Sequence, residues 1–188
     1  HGLLGADGEN YISALDGLLK DGLFSTARNL HYWPAGYSML MWPIAAIFKG
    51  SYVTIVGILQ SLIYFLACAY FVDQLRRTRL SRFAYSIAFI FAFNPTLSMN
   101  TLAIGYETST AAFVILALGF MIAHFQKLEQ KATSKEVVLA SVSFALATFM
   151  QPRLAIVAFL ILALWGLATQ SKKTLALFLA LSIAILQA

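Results

Sequence analysis

The chain has 188 residues, of which 60% are hydrophobic and only 11% charged. A soluble domain carries about a quarter charged residues, so this is the composition of a membrane protein. The net charge of +5 comes from short basic loops between apolar runs, which excludes a nucleic-acid binder, and the single cysteine, Cys68, excludes a disulfide framework or a Cys-based metal centre.

In chain order, the stretch GADGENYISALDGLLKDG comes first and holds four acids, Asp7, Glu9, Asp16 and Asp21. Within it, residues 10–19 put Tyr11, Ile12, Leu15, Leu18 and Leu19 at helical spacing. One greasy face suits a helix lying on a membrane surface or against a bundle, and Gly22 is placed to end it. Asp16 and Asp21 fall on its wet face. Pro34 then opens a second apolar stretch, 36–48, closed by Lys49-Gly50. It is too short to cross a bilayer and reads as an interfacial or re-entrant helix. Five spans are expected after it, near 52–75, 83–93, 108–125, 137–150 and 154–168, and a sixth begins near residue 174. The second and fourth are short and are expected to run past these bounds or to tilt.

Loop charge supplies an orientation. Arg76, Arg77, Arg79 and Arg82 follow the first span, Lys127, Lys131 and Lys135 the third, and Lys172 and Lys173 the fifth. These are alternate loops, as cytoplasmic loops should be. Residues 1–50 then form an extracytoplasmic segment with two interfacial helices, and 51–188 a transmembrane bundle. The fold expected is an all-α polytopic transmembrane helix bundle in a plasma membrane. The chain begins without Met and stops inside an apolar run, so it is expected to be a piece of a larger protein. No nucleotide-binding or metalloprotease pattern is present.

Several residues have both a chemical and a structural reading. Asp7 and Glu9 either supply a general base or stabilise a helix N-terminus. Tyr32, Trp33 and Tyr37, in the run His31 to Tyr37, either stack on a ligand or form an interfacial aromatic belt. Pro34 and Gly36 point to a fixed backbone path beside a close neighbour. Glu107 is a carboxylate at the end of a span, costly there, or a helix cap beside Thr108. Arg153 binds a phosphate or reaches lipid head groups. Asp73 sits three and four residues before Arg76 and Arg77, the spacing of a structural ion pair. Cys68 and His124 read as packing residues.

The order of these pieces resembles the GT-C superfamily of polytopic glycosyltransferases. The nearest branch contains the protein O-mannosyltransferases and the lipid A aminoarabinose transferase. The resemblance rests on Asp7 and Tyr11, then Pro34, Gly36 and Tyr37, then Glu107, then Arg153. It covers essentially the whole chain, through motifs that are each short and degenerate. It implies a polyprenyl-phosphate-linked sugar donor, a lipid, glycan or protein acceptor, and transfer on the extracytoplasmic face with inversion. Asp7 would be the catalytic carboxylate, with Glu9, Tyr11, Tyr32, Trp33, Tyr37, Glu107 and Arg153 binding substrate. Two departures stand out: Gly8 separates Asp7 from Glu9, where the mannosyltransferases have adjacent acids, and the span that normally precedes the Asp is missing. A divalent metal is left open, without a ligand cluster to support it. The rival readings are a transporter or flippase for a lipid-linked or anionic solute, and a non-catalytic membrane subunit.

Overall fold

The computed structural model describes residues 3–4, 8–22, 34–94, 102–127 and 134–169. Asp7, His31, Tyr32 and Trp33, the basic residues after 170 and the start of the sixth expected span lie outside these residues.

The described chain is almost entirely helical. Its helices are α1 (Gly8–Asp21), α2 (Ala35–Phe48), α3 (Tyr52–Arg76), α4 (Ala84–Phe93), α5 (Tyr106–Gln126), α6 (Ser134–Met150) and α7 (Ala155–Thr169). The strands are the two-residue β1 (Leu3–Leu4) and β2 (Ala103–Ile104), paired in parallel with Leu3 opposite Ala103. The expected helix ends hold to within a few residues. Among the described residues, two helical stretches are long and apolar enough to cross a membrane: Ala35–Arg76, which takes in α2, the turn after it and α3, and Tyr106–Gln126. At 25 and 21 residues, α3 and α5 are about 37 and 31 Å long. The other expected spans are shorter. The fourth lengthens at its start, to 17 residues in α6. The second does not lengthen at its start, because a 3₁₀ turn at Ser81–Phe83 precedes the ten residues of α4.

The helices alternate in direction. The Tyr64 hydroxyl donates to the Phe91 carbonyl at 3.1 Å, and Arg76 lies over Tyr85, so α4 runs back along α3. Ser109 meets Gln60 near the start of α5, and Gln126 meets Gln74 at its end, so α5 runs parallel to α3. The Lys127–Glu136 ion pair then joins the end of α5 to the start of α6. Trp165 of α7 packs edge-on against His124, which returns α7 to the same end. One end of the bundle therefore gathers Arg77, Arg79, Phe125 and Gln126 around a single cavity. This is the basic end of the bundle.

Small and large residues share the packing between α3 and α5. Ala67 and Tyr64 on one helix are buried in one cluster with Ala112 and Ile115 on the other, and Gly119 of α5 lies against the Tyr70 ring of α3. The large apolar side chains of α3, among them Ile58, Leu62, Phe65 and Leu66, point outward. Close approach at Ala67, Ala112 and Gly119, with large apolar side chains left on the outside, suits helices that associate in lipid.

α1 buries Tyr11, Leu15 and Leu18 as its spacing predicts, while Asp16 and Asp21 stay exposed. Leu19, expected on the same face, is 40% exposed, and Ala14 is buried instead. The reason is angular: position 19 lies at the rim of a narrow buried stripe that 11, 14, 15 and 18 complete. Gly22 ends the helix with φ +67°, the left-handed conformation that a helix-terminating glycine supplies. α2 contains Pro43 and turns back along the first half of α3 through Lys49, whose φ is +32°. A hairpin of this kind brings Tyr37 level with Gln60.

Candidate functional site

The end of the bundle opposite the arginines is built around three tyrosines from three separate segments. Tyr11 of α1 packs edge-on against Tyr37 of α2, with ring centroids 5.2 Å apart, and against Tyr106 of α5 at 5.8 Å. Tyr11 and Tyr37 are buried in one apolar cluster with Val56, Ile104 and Met150. Edge-to-face geometry aligns the positive edge of one ring with the negative face of the next. The cluster thus locks α1 and α2 onto α3, α5 and the end of α6.

A hydrogen-bond network runs through the same place. The Gly105 N–H donates to the Tyr37 hydroxyl oxygen at 3.2 Å, and that hydroxyl donates to Gln60 Oε1 at 3.1 Å. The Gln60 amide nitrogen donates to the Ala103 carbonyl, and the Ser109 hydroxyl reaches Gln60 Oε1 at 3.5 Å. Ser38, beside Tyr37, donates to the Tyr11 carbonyl at 3.3 Å. Buried polar groups must find partners, and here each pairing also fixes backbone. Gln60 joins α3 to β2 and to the first turn of α5, which holds residues 103–109 in place.

That segment presents Glu107. Gly105 precedes the first turn of α5, and the Glu107 carboxylate folds over it, into the space that a Cβ at 105 would take. Glu107 is exposed, so its negative charge sits in solvent at a helix N-terminus, where the macrodipole favours it. Glu9 has the matching position in the first turn of α1 and is also exposed. Arg153 lies in the 3₁₀ turn Pro152–Leu154, three residues beyond the buried Met150, and is exposed at this same end.

Of the residues singled out from sequence, Tyr11 and Tyr37 are thus in direct contact, with Glu107 two residues from the Gly105 N–H that Tyr37 accepts. Glu9 and Arg153 flank the cluster. Asp7, Tyr32 and Trp33 fall outside the described residues, though Asp7 immediately precedes Gly8, which is buried at the start of α1. Gln60 and Tyr106 were missed. A signal for Gln60 did exist, since an amide inside an apolar span is costly and calls for partners. Among the described residues, no three His, Cys, Asp or Glu side chains gather to hold a metal ion. Asp73 makes its expected ion pair with Arg77, at 2.7 Å. Compared with known protein families, with curated proteins and with solved structures, the chain matches none.

Proposed function

We propose that this chain belongs to a membrane glycosyltransferase that moves a sugar from a polyprenyl-phosphate carrier to an acceptor hydroxyl on the extracytoplasmic face. One observation carries the reading. Tyr11 and Tyr37, distant in sequence and named by the resemblance to GT-C enzymes, touch at the bundle end away from the arginine loop, and Glu107, likewise named, follows two residues after the Gly105 N–H that Tyr37 accepts. The positive-inside rule assigns that basic end to the cytoplasm and so leaves the tyrosine end outside. Small residues between helices and large apolar ones facing outward support a lipid surround.

In this mechanism the Asp7 carboxylate takes the proton of the acceptor hydroxyl as its oxygen attacks the anomeric carbon. The bond from that carbon to the phosphate oxygen breaks, and its electron pair leaves with the lipid phosphate. The Arg153 guanidinium, exposed at the tyrosine end of the bundle, is suited to the charge that develops there. The tyrosine network positions the platform and takes no part in the proton transfer.

The transporter reading wants polar groups along a path through the bilayer centre. Gln60 is the polar group best placed for such a path, and its amide is engaged with Tyr37, Ala103 and Ser109.

The test uses the complete purified protein with polyprenyl phosphate charged with radiolabelled mannose or aminoarabinose. Wild type should release the sugar. Asp7→Asn should slow release by about 10²-fold or more while the protein keeps its helical content. Absence of release from either donor, or near-normal release by the Asn variant, would overturn the assignment.

A further inference from the structure

Away from the tyrosine cluster, an open apolar groove of about 460 Å³ runs between α3 and α4. Phe65, Cys68 and Val72 wall it on one side, and Ala88, Phe91 and Ala92 on the other. With Ser61, the α3 positions recur at intervals of three or four residues and so form one stripe along the helix. From Ser61 to Val72 the stripe is about 16 Å long. The hydrogen bond from Tyr64 to the Phe91 carbonyl ties the two walls together at the end nearer the tyrosine cluster.

The other end is basic. Four residues past Val72, the same stripe reaches Arg76, whose guanidinium carbon lies 5.7 Å from the centroid of the Tyr85 ring on α4. The two helices that wall the groove therefore meet again at a cation. Arg79 and Arg82 follow in the loop, and both are exposed. Asp73 pairs with Arg77, and among the described residues Arg76, Arg79 and Arg82 meet no acid.

We propose that this groove and its arginines are one binding site for an anionic glycerophospholipid from the leaflet at the basic end. One acyl chain fills the groove, and the phosphate lies on Arg76, with the exposed Arg79 and Arg82 of the following loop adding positive charge at that leaflet surface. Charge complementarity selects this occupant. A neutral lipid would fill the groove equally well but would leave three cations without a counter-charge, whereas each arginine near the surface favours an anionic lipid by about 1 kcal/mol. The proposal rests on the membrane reading of the chain and is independent of the transfer chemistry.

The test is a titration of the complete protein in detergent with phosphatidylglycerol or phosphatidylcholine of identical chains, bound lipid being counted by native mass spectrometry. Phosphatidylglycerol should bind on the order of a hundredfold more tightly. Changing Arg76, Arg79 and Arg82 together to Gln should lower its affinity roughly fivefold per arginine, to the phosphatidylcholine level, and changing all three to Lys should keep most of the preference. Cys68→Trp, which fills the groove, should weaken both lipids alike. Equal affinity of the two lipids for wild type, or a preference that survives the Gln substitutions, would overturn the site and leave an unspecific lipid layer. A protein that fails to insert into vesicles at all would overturn the membrane reading with it, and a protein that inserts without preference would overturn the site alone.

Discussion

At Gly36 the backbone of α2 comes so close to α6 that a Cβ would overlap the Phe149 carbonyl and press on its ring. The obstacle is mostly backbone, which cannot rotate away as a side-chain tip can. Gly36→Ala should therefore push the helices apart and destabilise the fold by about 1–3 kcal/mol. Thermal unfolding in detergent, followed by circular dichroism, checks this; an unchanged midpoint would mean that α2 and α6 do not touch there. This contact was legible beforehand, because proline followed by glycine among aromatics marks a fixed path beside a close neighbour. The role of Gln60 was not. It depends on Tyr37, Ala103 and Ser109, which lie 23, 43 and 49 residues away, and no local pattern encodes such distances. The pairing of β1 with β2 escaped for the same reason, since a two-residue strand has no period to read.

Among the elements, the ends of the long apolar helices were readable because hydropathy and loop charge change sharply there. The face of α1 was readable from its spacing, up to the rim position of Leu19. Less visible was how α5 is joined to α6. Glu136 is buried in the first turn of α6, and its carboxylate pairs with the half-exposed Lys127 at the end of α5. The lysine charge also suits the C-terminal end of α5. Removing the lysine takes one cation away from a buried carboxylate, and removing the carboxylate leaves a lysine that can turn to solvent. The expected order is thus asymmetric. Lys127→Met should cost about 1–2 kcal/mol after allowance for the exposure of the lysine, and Glu136→Gln should cost less. Denaturant unfolding of both variants and of the double variant measures the coupling. A coupling near zero would mean that the pair only decorates a contact already made by the apolar cluster of Ala117, Met121, Val137 and Phe144.

For the molecule as a whole, sidedness decides whether the tyrosine cluster can meet a lipid-linked donor outside the cytoplasm. Helix directions and loop charges bear on this independently. Packing alone sends α3 and α5 the same way, which brings their basic C-terminal ends together. Charge alone puts the Arg76–Arg82 and Lys127 loops on one side. Two exposed serines separate the ends: Ser51 just before α3, and Ser81 in the arginine loop. With Cys68 changed to Ser, Ser51→Cys should react with a membrane-impermeant maleimide in intact cells. Ser81→Cys should react only after the membrane is opened. The reverse result would turn the tyrosine end toward the cytoplasm, and labelling of both in intact cells would mean that α3 does not span. Because Tyr11, Tyr37 and Glu107 all come from the Ser51 end of the bundle, labelling from outside at that one position carries the whole candidate site with it.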